Sequence, residues 1–167
     1  MNLYVLRHAK AHPRGPKWRP DSKRPLTKEG AKKMVEVARG MKKLGLSFDL
    51  ILTSPYERAL RTAQIVVEVY KVRKLFPTNN LASNADPQAI VAELSDNFST
   101  LKDVVIVGHE PFLSGLISLL LTGDGALKIE FKKGGLCKLS IEELRFGKCA
   151  QLDWLLTPRQ LARAGKH

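Results

Sequence analysis

Arg7-His8 closes the apolar run "NLYVL", Arg58 lies within "SPYERALRTA", and His109 closes "DVVIVGH". A neutral imidazole can act as a nucleophile or carry a proton near pH 7. A guanidinium is a planar fork of donors matched to carboxylate and phosphate oxygens. Two of each at one place would form an anion site with a nucleophile inside it. Taken singly each is weak evidence. A strand-end histidine is more often structural or exposed, and an arginine in the first turn of a helix opposes the helix dipole. The question is whether the chain carries all four to the same edge.

The elements that must do so can be read from the pattern. Tyr4 to Leu6 ends a first strand, and Ala11 to Arg24 is a loop punctuated by Pro13, Pro16 and Pro20. Thr27 is placed to cap a helix whose Ala31, Met34, Val35, Ala38 and Met41 recur at helical spacing, with Gly45 at its stop. "DLILT" (49–53) is a short buried strand. Ser54, Pro55 and Glu57 spell an N-cap, a first-position proline and a capping box, which puts Arg58 in the opening turn of the next helix. "KLFPTNNL" is a weak strand or loop, and Asp86-Pro87 starts a helix turning Ile90, Val91 and Leu94 inward. "DVVIVGH" is the strongest buried strand, and Pro111 opens the helix after it. Strands are expected around Lys128–Lys132, Leu136–Ile141 and Gln151–Leu156, partly antiparallel, with a short helix over Pro158–Ala164. Strands alternating with helices predict an α/β sandwich on a mostly parallel, mixed sheet. No repeat, linker or composition shift divides residues 1–167, so a single domain is expected. Ligands of such sheets sit beyond the carboxyl ends of the strands. Arg7-His8, Arg58 and His109 all fall there.

The chain has 28 Lys+Arg against 16 Asp+Glu, a net charge of +12, so it favours anionic partners. Lys10, Arg14, Lys17, Arg19, Lys23 and Arg24 crowd the loop behind His8. No stretch approaches the ~20 apolar residues of a membrane span, and no secretory leader is evident, so a soluble, cytoplasmic protein is expected, without membrane association. Cys137 and Cys149 lack metal spacing and are expected to be reduced thiols; neither has an arginine six residues on, which excludes a cysteine-nucleophile phosphatase. No phosphate-binding GxxxxGK[ST] loop, HExxH pair or acidic magnesium cluster is present, so no metal or cofactor is expected.

Arg7-His8 after the first strand, "SPYERALRTA" and Gly108-His109 after an apolar strand resemble the histidine phosphatase (phosphoglycerate mutase-like) superfamily. The details "LRHAKA", "RPLTKEG", "VGHEP" and "LLTPRQL" resemble its SixA-type phosphohistidine phosphatase branch. The resemblance runs in order from Leu3 to about Leu121. It implies a three-layer phosphoglycerate mutase-like sandwich in which His8 attacks phosphorus and carries the phosphoryl group, while Arg7, Arg58 and His109 clamp its oxygens. Water then releases phosphate without a metal. The implied activity is dephosphorylation of phosphohistidine on signalling or phosphotransfer proteins. A phosphatase for small phosphate monoesters or phosphoserine proteins is the alternative on the same fold. A basic nucleic-acid-binding module is the alternative of another class, but no recognition helix or aromatic-rich motif favours it, and nucleic acid is not an expected partner.

Chemistry adds constraints. His8 must be neutral to attack, and Arg7 and Arg58 beside it would lower its pKa from about 6.5. A backbone carbonyl or similar acceptor must hold the proton on the far ring nitrogen. Many superfamily members place a glutamate proton donor in the segment matching "NNLASNADP", where only Asp86 stands, expected as a helix cap. An alkoxide leaving group needs that proton; an imidazole leaving group needs it far less. Glu110, Glu93 and Asp21 are the carboxylates that folding could still bring close. Of the remaining residues, His12 is expected as exposed filler, Trp18 as packing under the loop or touching a partner, Arg61 as a structural ion pair, and His167 as a chain-end residue.

Overall fold

The computed structural model describes residues 1–166; His167 lies outside the described residues. Six strands form one sheet in the order β3-β2-β4-β1-β5-β6. They are β1 (Asn2–Arg7), β2 (Leu50–Thr53), β3 (Leu75–Pro77), β4 (Asp103–Gly108), β5 (Leu136–Ile141) and β6 (Ala150–Leu156). The pairs β1·β4, β2·β4 and β2·β3 are parallel, whereas β1·β5 and β5·β6 are antiparallel. The sheet is thus mixed and mostly parallel in its central part. Five helices cover it: α1 (Lys28–Lys43), α2 (Glu57–Tyr70), α3 (Pro87–Phe98), α4 (Phe112–Thr122) and α5 (Pro158–Ala164).

Side-chain alternation sorts the helices into two layers. Tyr4, Leu6, Ile51, Val105 and Val107 face α1, α2 and α5 through Met34, Met41, Ile65 and Leu161. Leu3, Val5, Leu52, Val104 and Ile106 face α3 and α4 through Ile90, Leu94, Leu113 and Leu116. The central strands are buried on both faces, which explains their unbroken apolar runs. No helix among the described residues is long and apolar enough to cross a membrane.

Most expected elements are present, with three differences. The segment 128–132 is not a strand. Phe131 is buried there while its carbonyl accepts from Arg7 Nη1 at 2.6 Å, so the backbone serves a side chain instead of a ladder. Second, α2 begins at Glu57 with Tyr56 as N-cap, two residues later than the capping box predicts. Third, the loop behind His8 is partly ordered by a 3-10 turn, Asp21–Lys23, and by an Ala11–Leu26 bridge. Thr27 does cap α1, its hydroxyl accepting from Gly30 N, and Asp86 caps α3 through Gln88 N.

The sheet register brings the site together. Arg7 lies opposite Gly108, and Thr53 lies opposite Val107. His8, Ser54 and His109 therefore leave three adjacent parallel strands at one level.

Candidate active site

Arg7, His8, Arg58 and His109 line one cavity of about 440 Å³ at that level. His8, Arg58 and His109 are almost completely buried, at 6%, 2% and 1% exposure. The His8 and His109 rings lie 5.2 Å apart between centroids. The four sequence-expected residues are thus gathered at one place. His12, expected as exposed, is half-buried: it lines the same cavity, its ring packs 5.5 Å from Trp18, and its carbonyl accepts from Arg24 Nη1. Trp18 is half-buried against the His12 ring, and Arg61 forms the expected structural pair, with Glu68.

His8 is held by its backbone on both sides. Its N–H donates to Gly108 O at 3.0 Å, and its carbonyl accepts from Gly134 N at 3.1 Å. Its Nδ1 lies 2.7 Å from Ala9 O. A carbonyl only accepts, so Nδ1 carries the proton and Nε2 is left as the basic nitrogen. Burial lowers the His8 pKa to about 3, opposed by the Ala9 carbonyl and reinforced by Arg58, Arg7 and Arg24. The arginines act in the direction expected from the sequence, but burial is the larger cause. The ring is neutral at pH 7.

A short relay ties α2 to this strand end. Ala9 N donates to Thr62 Oγ1 at 3.0 Å, and that hydroxyl donates to Arg58 O at 2.7 Å. Arg58 is clasped further by Asp21, whose carbonyl accepts from Nη1 at 3.0 Å and whose carboxylate pairs with Nη2 at 3.1 Å. Asp21 also pairs with Arg24 Nε at 2.8 Å. One carboxylate therefore holds two buried guanidinium groups that would otherwise repel. Arg24, 8% exposed and lining the cavity, was not singled out by sequence reasoning, and neither was Asp21 as its partner. A signal existed: Asp21 is the single acidic residue between Lys10 and Lys28.

Ser54 departs most from expectation. Its Oγ accepts from Tyr56 N at 3.2 Å and lies 2.7 Å from His109 Nε2. With the hydroxyl donating to Nε2, the ring's own proton sits on Nδ1. Burial lowers the His109 pKa to about 3, with Arg58 and His8 adding to the effect. The result is a neutral imidazole with an N–H donor. Tyr56 packs its ring 5.0 Å from His109 and beneath the Arg58 guanidinium at 5.3 Å.

Hydrogen-bond accounting exposes what this arrangement can do. Arg7 Nε, Arg58 Nε and His109 Nδ1 are buried and have no hydrogen-bond partner among the described residues. Buried polar groups are almost always paired, so three orphans on residues lining one cavity require an explanation. Two guanidinium groups and an imidazole bordering the cavity of a neutral nucleophilic nitrogen suit an oxyanion with several equatorial oxygens.

The carboxylates divide clearly. Glu93 is turned away, accepting from Thr78 Oγ1 and Asn80 Nδ2, both at 2.7 Å. Asp86 caps α3. Glu110 lines the cavity, with Oε1 accepting from Ser114 N at 2.8 Å. No cluster of three or more His, Cys, Asp or Glu suited to a metal ion occurs among the described residues.

Residues 3–81 match the model of the histidine phosphatase superfamily (branch 1). A protein of Picosynechococcus sp., itself uncharacterized, is 34% identical over 143 residues, covering 83% of this chain and 84% of that one. The chain belongs to the histidine phosphatase superfamily. Among solved structures it is similar to the protein histidine phosphatase SixA complexed with tungstate, with a TM-score of 0.84, 21% identity and coverage of 96% and 99% of the two chains. It is also similar to a phosphoserine phosphatase of Entamoeba histolytica in complex with 3-phosphoglyceric acid, with a TM-score of 0.70, 18% identity and coverage of 96% and 98%. These likenesses establish the phosphoglycerate mutase-like fold; the enzyme is a phosphatase of this superfamily.

Proposed function

We propose that this phosphatase removes phosphoryl groups from phosphohistidine on signalling or phosphotransfer proteins, through a phosphohistidine intermediate on His8. The observation that carries the reading is the set of three buried nitrogens, on Arg7, Arg58 and His109, that have no partner among the described residues and belong to the lining of the cavity shared with a neutral His8. In the first step His8 Nε2 attacks phosphorus while the P–N bond to the substrate imidazole, protonated on its other ring nitrogen, breaks, so that the electron pair leaves on a neutral imidazole. Phosphoryl transfer needs alignment and charge neutralisation more than covalent assistance, and the guanidinium groups of Arg7 and Arg58 supply both. Water then attacks the phosphorus on His8 as the P–Nε2 bond breaks; the electron pair returns to Nε2, the water's proton leaves with the phosphate, and the ring, still protonated on Nδ1, is neutral again. No metal has a role in either step.

The substrate class follows from the leaving group. An imidazole protonated on its other nitrogen departs as a neutral base, whereas an alkoxide requires a strong proton donor. The segment in which many superfamily members carry a glutamate donor contributes Ser83 to the cavity here. The basic loop from Lys10 to Arg24 rims the cavity and favours an acidic phosphoprotein surface.

One observation favours a second reading, a phosphatase for phosphate monoesters: Glu110 lines the cavity, and its Oε2 has no hydrogen-bond partner among the described residues. The two readings separate on rates. Phosphohistidine-bearing protein, an aryl phosphate and an alkyl phosphate are offered to the parent, to Glu110→Gln and to His8→Ala in the presence of chelator. The proposal expects fast P–N cleavage, little alkyl ester cleavage, no effect of chelator and loss of all turnover in His8→Ala. Fast alkyl ester cleavage abolished by Glu110→Gln establishes the second reading instead.

A further inference from the structure

A second cavity, of about 630 Å³, adjoins the first and shares Arg7, Lys10 and Lys133 with it. Lys132, Arg159 and the start of α5 at Thr157-Pro158 complete its wall, and no Asp or Glu among the described residues lines it. Lys10 and Lys132 have acidic partners, Glu29 and Glu130, in exposed pairs of the kind that contributes little. Lys133 and Arg159 have none among the described residues. Lys133 has its pKa lowered by burial of its stem and by Arg7, Arg24 and Lys10, all of the same sign.

The wall is anchored to the catalytic strand. Gly134 N donates to both Arg7 O and His8 O, at 3.0 and 3.1 Å, so Lys133 is positioned by the same backbone that positions the nucleophile. A left-handed φ of +75° lets Gly134 make that turn, and Pro158 packs against it, joining α5 to the same wall. Like charges gathered on a fixed concave surface repel one another unless an anion lies among them.

We propose that this second cavity is an anion subsite, formed by Lys132, Lys133 and Arg159, that binds a second anionic group of the substrate while the first cavity holds the phosphoryl group being transferred. The proposal rests on the assignment of the first cavity as the phosphoryl site. The second group is a further phosphoryl or a carboxylate close to the scissile one, and the subsite selects polyanionic substrates over isolated phosphates.

Binding of inorganic phosphate and of pyrophosphate is measured by calorimetry on the full chain, in the parent and in Lys132→Ala/Arg159→Ala. The variant is expected to lose about tenfold in pyrophosphate affinity and less than twofold in phosphate affinity. Removing two cations far from the cavity, Lys42→Ala/Lys43→Ala, leaves both affinities within twofold. A pyrophosphate affinity that survives Lys132→Ala/Arg159→Ala, or falls equally in the distant control, overturns the subsite. Arg58→Ala tests the first cavity separately: phosphate binding indifferent to that change overturns the phosphoryl assignment and leaves the pyrophosphate comparison to decide the subsite alone. A pair of phosphohistidine peptides, with and without flanking acidic residues, identifies the source. A kcat/KM preference for the acidic peptide that the variant abolishes assigns the subsite to carboxylates; equal rates with a retained pyrophosphate effect assign it to a second phosphoryl.

Discussion

Replacing Ser54 by alanine removes the hydrogen-bond partner of His109 Nε2 among the described residues. The hydroxyl is fully buried, lies 2.7 Å from His109 Nε2 and accepts from Tyr56 N at 3.2 Å. A neutral hydrogen bond contributes about 0.5–1.5 kcal/mol, and a buried polar group left unpaired costs about 1–3 kcal/mol. Two groups lose their partner, so a loss of about 2 kcal/mol of stability is expected, or about 4–8 °C in Tm for a chain of this size. The kinetic consequence is distinct. With a hydroxyl that donates to Nε2 gone, the proton of His109 is free to move to Nε2, which turns Nδ1 of this cavity-lining residue from a donor into an acceptor. Loss of one such donor costs about 10²-fold in kcat, and partial retention of the right tautomer brings the expected fall in kcat/KM to about 10–100-fold. Steady-state kinetics and ¹⁵N chemical shifts of the His109 ring nitrogens are measured on the parent, Ser54→Ala and Ser54→Thr. The threonine variant keeps the hydroxyl and is expected to retain the Nδ1-protonated ring. The reasoning is refuted if Ser54→Ala keeps the parent tautomer and a kcat/KM within threefold.

The buried histidines predict an acid-sensitive fold. His8 and His109 titrate at about 3 in the folded chain, against about 6.5 unfolded, so between those values the unfolded chain binds more protons and stability rises with pH. Tm is expected to fall as pH drops from about 6.5 toward 3, and less steeply in His8→Gln, which takes up no proton; equal slopes would show that His8 is not held neutral. Gly30→Ala places a Cβ 2.1 Å from the Lys10 carbonyl, two residues beyond His8. Displacing that backbone costs about 1–3 kcal/mol, more than the ~1 kcal/mol that alanine gains in a helix. Both Tm and kcat are expected to drop, and a variant with raised Tm and parental kcat would contradict the close approach.

The parts of the site visible in the amino-acid order are those set by regular elements. Arg7, His8 and His109 follow apolar runs that can only be buried parallel strands, and adjacent parallel strands end together. Ser54 was misread because its local pattern matches a capping box, while its actual partner, His109, is 55 residues away and enters only through strand adjacency. Short-range signals compete with tertiary pairing, and here the buried imidazole prevailed. Asp21 and Arg24 sit in a loop with no periodicity, so the hold of Asp21 on both Arg24 and Arg58 left only a charge anomaly to notice. The segment 128–132 alternates apolar and polar residues like a strand, yet its backbone is committed to Arg7. Periodicity does not reveal where a carbonyl is spent.

The central claim is that a neutral His8 carries the phosphoryl group between substrate and water. Rapid quenching of the enzyme during turnover of a ³²P-labelled phosphohistidine protein, followed by peptide mapping, tests it directly. Label that survives base, is lost in acid and maps to His8 is the predicted result; turnover without such label, or label on another residue, would contradict it.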